Sequence, residues 1–290
     1  MPMFAPQVLQ PLQLGSGEGP YLLDDPQFRW HLLAEGDSWF TISGLPSSNL
    51  LLELRLRDSA QIFNLAYPGD TLRHMAALAG NPDLVRLLAK PRFNYRWDAL
   101  LLSGGGNDLM EEVHTLLRPA PQGDPAQPQS HVDLDLLESL LGSVQQDVAR
   151  IVALRDAPGS LSVGVPVVLH TYDYPTPRGA PASFLFAPVR GPWLFPAFQA
   201  RGLAPALQVQ VTDFLVDRLA QALLALDARA GGSAALPGVV VVDTRGTLER
   251  AALGSTGNSA DWVNEIHPNP GGYRRLAQVL AAELNRVLPP

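Results

Sequence analysis

Four residues of this chain, Ser38, Gly69, Asn107 and His267, have the chemical types that acyl transfer requires. A serine hydroxyl is a poor nucleophile until a base takes its proton, and an imidazole titrates in the right range to be that base. The tetrahedral intermediate then needs hydrogen-bond donors aimed at its oxyanion. Ser38, placed at a strand-to-helix turn, can present both its hydroxyl and its backbone N–H. Gly69 has no side chain to obstruct the approach of its own N–H. Asn107 offers a side-chain amide just after the glycine run Gly104–Gly106, and His267 supplies the base. Each residue also has an ordinary reading. Ser38 suits a helix N-cap, the glycine run suits a turn or a phosphate loop, and His267 suits a polar helix start.

For these residues to meet, the fold must carry distant segments to one edge. Five short apolar runs alternate with helical patterns along most of the chain. They are His31–Ala34 before Glu35-Gly36-Asp37-Ser38, Gln61–Leu65 before Pro68-Gly69-Asp70, Ala99–Leu102 before Ser103, Val163–Leu169 before His170-Thr171-Tyr172-Asp173, and Val239–Val242 before Asp243. Non-alternating runs of this length suit strands covered on both faces, as in a parallel sheet. Leu134–Leu154, Val209–Leu226 and Tyr273–Val287 carry apolar residues at helical spacing. Strand–helix alternation with right-handed crossovers predicts a three-layer α/β/α sandwich around one five-stranded parallel sheet. In open sheets of this kind, ligands bind beyond the carboxyl ends of the strands. Ser38, Asp70, Asn107 and His170 all fall there, and His267 precedes the last helix.

Residues 1–26 lack a clear period and read as an N-terminal extension; residues 27–290 read as one domain. Two stretches break the rhythm, at about 109–133 and 174–201. Within the first, Arg118–Gln129 is rich in Pro, Gln and Gly and is expected to be a mobile loop. The second sets Phe184, Phe186, Trp193 and Phe195 among prolines and glycines. Its aromatic residues either line or cap a pocket or pack on one another.

Composition narrows the chemistry further. A formal net charge of −7 over 290 residues, without basic clusters, argues against a general nucleic-acid partner. The absence of cysteine excludes thiolate catalysis and cysteine–zinc sites. Glu111 and His114 have a spacing used by carboxylate-bridged metals, but no second copy and no His-Glu-x-x-His occur, so no metal is expected. No P-loop lysine follows the glycine run, and no serine sits in a Gly-x-Ser-x-Gly elbow. No apolar stretch reaches the length of a membrane span. The first ten residues carry neither a basic nor a long apolar segment, which points to a cytoplasmic protein.

Four blocks in order resemble a known family. Gly36-Asp37-Ser38-Trp39, Asn64-Leu65-Ala66-Tyr67-Pro68-Gly69-Asp70-Thr71, Gly105-Gly106-Asn107-Asp108 and His267-Pro268 are similar to the blocks of the SGNH (GDSL-like) hydrolases. The resemblance spans roughly residues 32–285. It implies a flavodoxin-like sheet and a serine hydrolase of ester-class bonds: a carboxylesterase, lipase or acetyl-ester deacetylase acting on a small-molecule ester without a cofactor. It also implies Ser38 as nucleophile, His267 as base, and an oxyanion hole from Ser38, Gly69 and Asn107. The family usually has an aspartate three residues before the histidine, where this chain has Asn264. Asn264 is the first choice to orient His267, with Asp261, Glu265 or a backbone carbonyl as alternatives. The loss of that charge leaves a non-catalytic binding domain as the competing reading. His170-Thr171-Tyr172-Asp173-Tyr174 resembles a segment of some bacterial members, implying that His170, Tyr172 and Asp173 shape the pocket. With an ordinary imidazole pKa of roughly 6.5, activity is expected to fall as His267 protonates near that pH.

Overall fold

Strand formation follows the apolar runs. A computed structural model describes residues 3–11, 25–41, 48–90, 94–182 and 189–290. Within these, β1 is Gln7–Leu9, β2 Trp30–Gly36, β3 Ala60–Asn64, β4 Ala99–Ser103, β5 Val167–His170 and β6 Val239–Val242. All pair in parallel, in the order β1-β3-β2-β4-β5-β6. Every residue of β3, β4 and β5 is buried, which explains why the runs do not alternate. Without β1, the strand order is that of a flavodoxin-like sheet.

The sheet has six strands rather than five. Gln7–Leu9, inside the stretch read as an extension, adds to the edge of β3 with Val8 opposite Ile62. Three residues are too few to show a period in sequence; the exposed edge of β3 recruits them. The apolar run beginning at Val163 enters the sheet only at Val167. Gly164 turns at a φ of +74°, and Pro166 has no N–H to give to a ladder.

The helices are α1 Ser38–Thr41, α2 Leu50–Glu53, α3 Leu72–Met75, α4 Pro82–Ala89, α5 Gly106–Leu116, α6 Leu134–Arg155, α7 Phe195–Ala200, α8 Pro205–Leu224 and α9 Pro270–Val287. α6 packs against α3, α4, α5 and α8, while α9 packs against α2 and β6. α9 begins at Pro270, and its N-cap Asn269 accepts the Gly272 N–H at 3.0 Å. Both stretches read as loops contain helix. α5 occupies 106–116, and Arg118–Gln129 is closed behind it by Arg118 N–H on His131 O and Asp133 N–H on Leu116 O. α7 occupies 195–200, whereas Phe184 and Phe186 lie outside the described residues.

The order of strands reverses between β2, which runs out to β3, and β4, which runs the other way to β5. That is the switch point at which crossover connections part and leave a crevice. Ser38 follows β2 and Asn107 follows β4, so the two flank this crevice.

Candidate active site

Gly36, the last residue of β2, is opposite Ser103 of β4 and has no room for a side chain. A Cβ on Gly36 would stand 2.8 Å from the Ser103 Cβ. Asp37 then turns the chain, its N–H on Ser103 O and its carboxylate accepting the Trp39 N–H at 3.0 Å. Ser38 is thereby placed on the first residue of α1. Its Oγ lies 2.8 Å from His267 Nε2, across 229 positions of sequence. His267 Nδ1 lies 3.0 Å from Asn264 Oδ1. That same oxygen accepts the backbone N–H groups of Ile266 at 3.1 Å and His267 at 2.9 Å, which identifies it as the amide oxygen. An amide oxygen only accepts, so the imidazole proton sits on Nδ1. Nε2 is then the lone-pair nitrogen, and the Ser38 hydroxyl donates to it.

Of the orienters weighed for His267, the geometry brings only Asn264 to the ring. The Asp261 carboxylate accepts the Glu249 N–H at 2.7 Å and pairs with Arg275 at 3.4 Å. Glu265 turns away and accepts the backbone N–H groups of Arg178, Trp193, Leu194 and Phe195. It thus pins the aromatic stretch beside the histidine, and the Trp193 ring meets the His267 ring edge-on at 5.3 Å. Arg178, fully buried, donates to Asn264 O at 2.5 Å and to the Ser255 hydroxyl at 3.1 Å. Trp39 Nε1–H donates to Ile266 O at 3.3 Å, joining the serine turn directly to the histidine turn. Sequence reading assigned no such part to Arg178 or Trp39; an arginine among prolines and a tryptophan after a serine carry no signature.

A small cavity of about 40 Å³, partly open to solvent, lies beside Ser38. Asn107, Tyr172 and Asp173 border it, and Leu109, Met110, Val216, Leu219, Trp262 and Ile266 give it apolar walls. Asn107 Nδ2 donates one hydrogen to Asp70 O at 2.8 Å, which orients the NH₂ group and leaves its second hydrogen for another acceptor. Gly69 is exposed in the turn closed by Asp70 N–H on Tyr67 O, at a φ of +81° that only glycine adopts without strain. It is not among the residues bordering the cavity. Asp173 accepts the N–H groups of Tyr174, Gly246 and Leu248. The glycine run is filled by side chains, with Leu72 against Gly104 and the Tyr172 ring against Gly106.

His170, the third residue expected to shape the pocket, does not border the cavity. It is buried behind Trp39, ring centroids 5.7 Å apart, with Nε2 on Ser103 Oγ at 3.0 Å. Its place at the end of β5 points it under the serine turn rather than into the crevice.

Burial governs the electrostatics. It pushes His267 down to about 4, below the ordinary imidazole value near 6.5, and no neighbouring charge opposes it. His170 is likewise pushed down to about 4. Asp37 is pushed up to about 6 by burial, against hydrogen bonds from Tyr172, Trp39 and Ser103. Glu35, buried at the end of β2, is pushed up to about 7 in spite of donors Asn81 and Gly36. Among the described residues no group of three or more His, Asp or Glu side chains could hold a metal ion, and no helix is long and apolar enough to cross a membrane.

The match that decides the family covers residues 36–275, from the turn before Ser38 to the first part of α9, and it is to the GDSL-like lipase/acylhydrolase family. The chain belongs to this family. This GDSL-like protein is accordingly a hydrolase acting on ester bonds. No curated protein matches it. Among solved structures it is similar to Axe2, an acetylxylan esterase from Geobacillus stearothermophilus, at 14% identity and a TM-score of 0.44, with 89% of this chain and 94% of that one covered. It is also similar to TesA, at 15% identity, a TM-score of 0.43 and coverage of 89% and 99%. A third is LAE5, an α/β hydrolase enzyme from the metagenome of Lake Arreo, Spain, at 17% identity, a TM-score of 0.41 and coverage of 88% and 94%.

Proposed function

We propose that this GDSL-like hydrolase cleaves small esters with an apolar acyl group, using Ser38 as nucleophile, His267 as general base and Asn264 as the group that holds the imidazole tautomer. One observation carries the reading: the continuous line Ser38 Oγ–His267 Nε2 at 2.8 Å and His267 Nδ1–Asn264 Oδ1 at 3.0 Å, beside a cavity with aliphatic walls. Nε2 takes the hydroxyl proton as Oγ bonds to the ester carbonyl carbon. The oxyanion is held by the free hydrogen of the Asn107 amide and the backbone N–H of Ser38, both at the cavity. Gly69, the third donor that the family resemblance implies, would have to reach it from the exposed turn outside the cavity lining. His267 then passes the proton to the departing alkoxide, and the alcohol leaves. Water attacks the acyl-Ser38 ester, gives a proton to Nε2, and the acid departs as Ser38 regains its hydrogen.

Asn264 accepts from Nδ1–H but carries no charge to stabilise the imidazolium. That favours the competing reading of a binding domain without turnover. Ser38→Ala in hydrolysis of a short-chain aryl ester, with fluorophosphonate labelling of the wild type, decides between the two. The esterase reading expects labelling at Ser38 and no turnover by the variant. Turnover kept by the variant, or an unlabelled Ser38, overturns it.

A further inference from the structure

Beneath the Ser38–His267 pair lies a second serine–histidine contact that the proposed reaction does not use. Ser103 and His170 are buried, neither borders the cavity, and no substrate reaches them. His170 Nδ1 lies 2.7 Å from Thr171 O. A carbonyl only accepts, so Nδ1 carries the proton. His170 Nε2 lies 3.0 Å from Ser103 Oγ, which in turn lies 2.8 Å from Asp37 Oδ1. The other Asp37 oxygen receives the Tyr172 hydroxyl at 2.5 Å.

Counting hydrogens exposes a conflict. With His170 neutral and Asp37 ionised, Ser103 has one hydrogen between two acceptors, and one contact is unserved. A single additional proton on either end satisfies every contact. On His170, it donates from Nε2 to Ser103, which donates to Asp37. On Asp37, it donates to Ser103, which donates to Nε2.

We propose that Asp37, Ser103 and His170 form a buried chain that shares one titrating proton and, through Asp37, positions Ser38 for attack. The inference rests on Ser38 being the nucleophile. Asp37 is the residue before Ser38, and its Oδ1 holds the Trp39 N–H, so the carboxyl fixes the turn from both sides of the serine. Tyr172 carries the same restraint to the oxyanion side. Its hydroxyl is on Asp37 and its ring lies against Gly106, next to Asn107; a Cβ on Gly106 would come 2.9 Å from the ring's Cζ. The chain therefore ties the nucleophile and the Asn107 donor to one buried group.

The groups facing Asp37 are Asp108 from α5, Tyr172 and His170 from the end of β5, and Tyr273 from α9, with the Ser38–His267 pair on the other side of the turn. None is a cation at neutral pH, and burial holds Asp37 up near 6 and His170 down near 4. The carboxyl is therefore the end that carries the proton. As it leaves, the Ser103 hydroxyl turns from Nε2 to Asp37.

The test uses kcat per fluorophosphonate-titrated site, so that misfolded protein does not count, together with ¹⁵N spectra of the histidines. Ser103→Ala and His170→Leu are expected to lower kcat about 10-fold or more with KM within about 2-fold, because neither side chain touches the cavity. His170→Gln places an amide N–H where Nε2 stands. It is expected to keep kcat within about 3-fold of wild type and to remove the inflection near pH 6 that is expected in the wild-type rate above the His267 limb near 4. In the wild-type spectra the His170 Nε2 signal is expected to shift with a midpoint near 6 while Nδ1 stays protonated. Equal rates for His170→Leu and His170→Gln, or an Nε2 signal that does not move between pH 5 and 8, overturn the proposal. An unlabelled wild-type Ser38 would instead overturn the esterase reading, and the histidine spectra would still decide whether the chain shares a proton.

Discussion

Asn264→Asp isolates one charge at a fixed position, 3.0 Å from the ring nitrogen it faces. Aspartate keeps the acceptor for Nδ1–H and for the Ile266 and His267 N–H groups, so the geometry has no reason to move. In the wild type, burial holds His267 at about 4 with no anion opposing it. An imidazolium and a carboxylate with charge centres about 4 Å apart attract by about 4 kcal/mol at an effective dielectric of about 20. That is an upper bound of about 3 pKa units. Burying the new carboxylate takes back part of it, leaving a rise of about 2 units, from near 4 to near 6. Because the imidazolium forms in the transition state, the same interaction should raise kcat by about 10-fold or more at pH 8. Initial rates on an aryl acetate from pH 3.5 to 8.5, with circular dichroism at each pH to exclude unfolding, read both effects. The wild-type limb set by His267 is expected near 4, apart from the Asp37 inflection near 6, and in the variant it moves up to merge with that inflection. An acid limb that stays at the wild-type pH in the variant refutes the claim that Asn264 Oδ1 faces the working imidazole.

Other consequences are equally open to measurement. Both His267 and His170 have folded-state pKa values near 4 against about 6.5 unfolded, so each stabilises the fold fully above about 6.5 and loses that contribution as pH falls towards 4. The loss is about 3 kcal/mol per histidine, and urea unfolding at pH 7 and pH 4.5 should register most of it. Glu35 has the opposite sign. Its raised value stabilises the fold below about 4.5 and the contribution disappears as pH rises through about 7. The melting temperature of Glu35→Gln should therefore rise relative to wild type between pH 5 and 8, and a constant difference would contradict it. Glu265→Gln replaces one acceptor oxygen by a donor in front of four N–H groups and should cost about 2–3 kcal/mol in urea unfolding. Gly69→Ala meets no atom within 4 Å but keeps a φ of +81°, so it should cost about 1–2 kcal/mol from strain alone; no loss in urea unfolding would argue against that turn.

Much of this molecule was legible in its residues. Five of the strands follow apolar runs that read the same on both faces, because a strand covered by helices on each side has no polar face to encode. Ser38 and Asn107 could be placed at one edge from the strand ends they follow. His267 could be paired with Ser38 because His267-Pro268, shortly before the last helix, resembles the family's final block. What tertiary structure alone decided is which groups face one another. Asp261, Asn264 and Glu265 lie within a few positions of His267, and the family spacing favoured Asn264 without excluding the two acids. Only the fold turns one to the ring, one to Arg275 and one to the backbone of 193–195. His170 follows its strand as Ser38 does, yet it is aimed under the turn rather than into the cavity, because Trp39 lies stacked beside it and Ser103 holds its Nε2. The three residues of β1 needed the exposed edge of β3 to become a strand at all. Local pattern encodes burial and periodicity, whereas side-chain direction and pKa are set largely by neighbours that lie tens to hundreds of positions away in sequence.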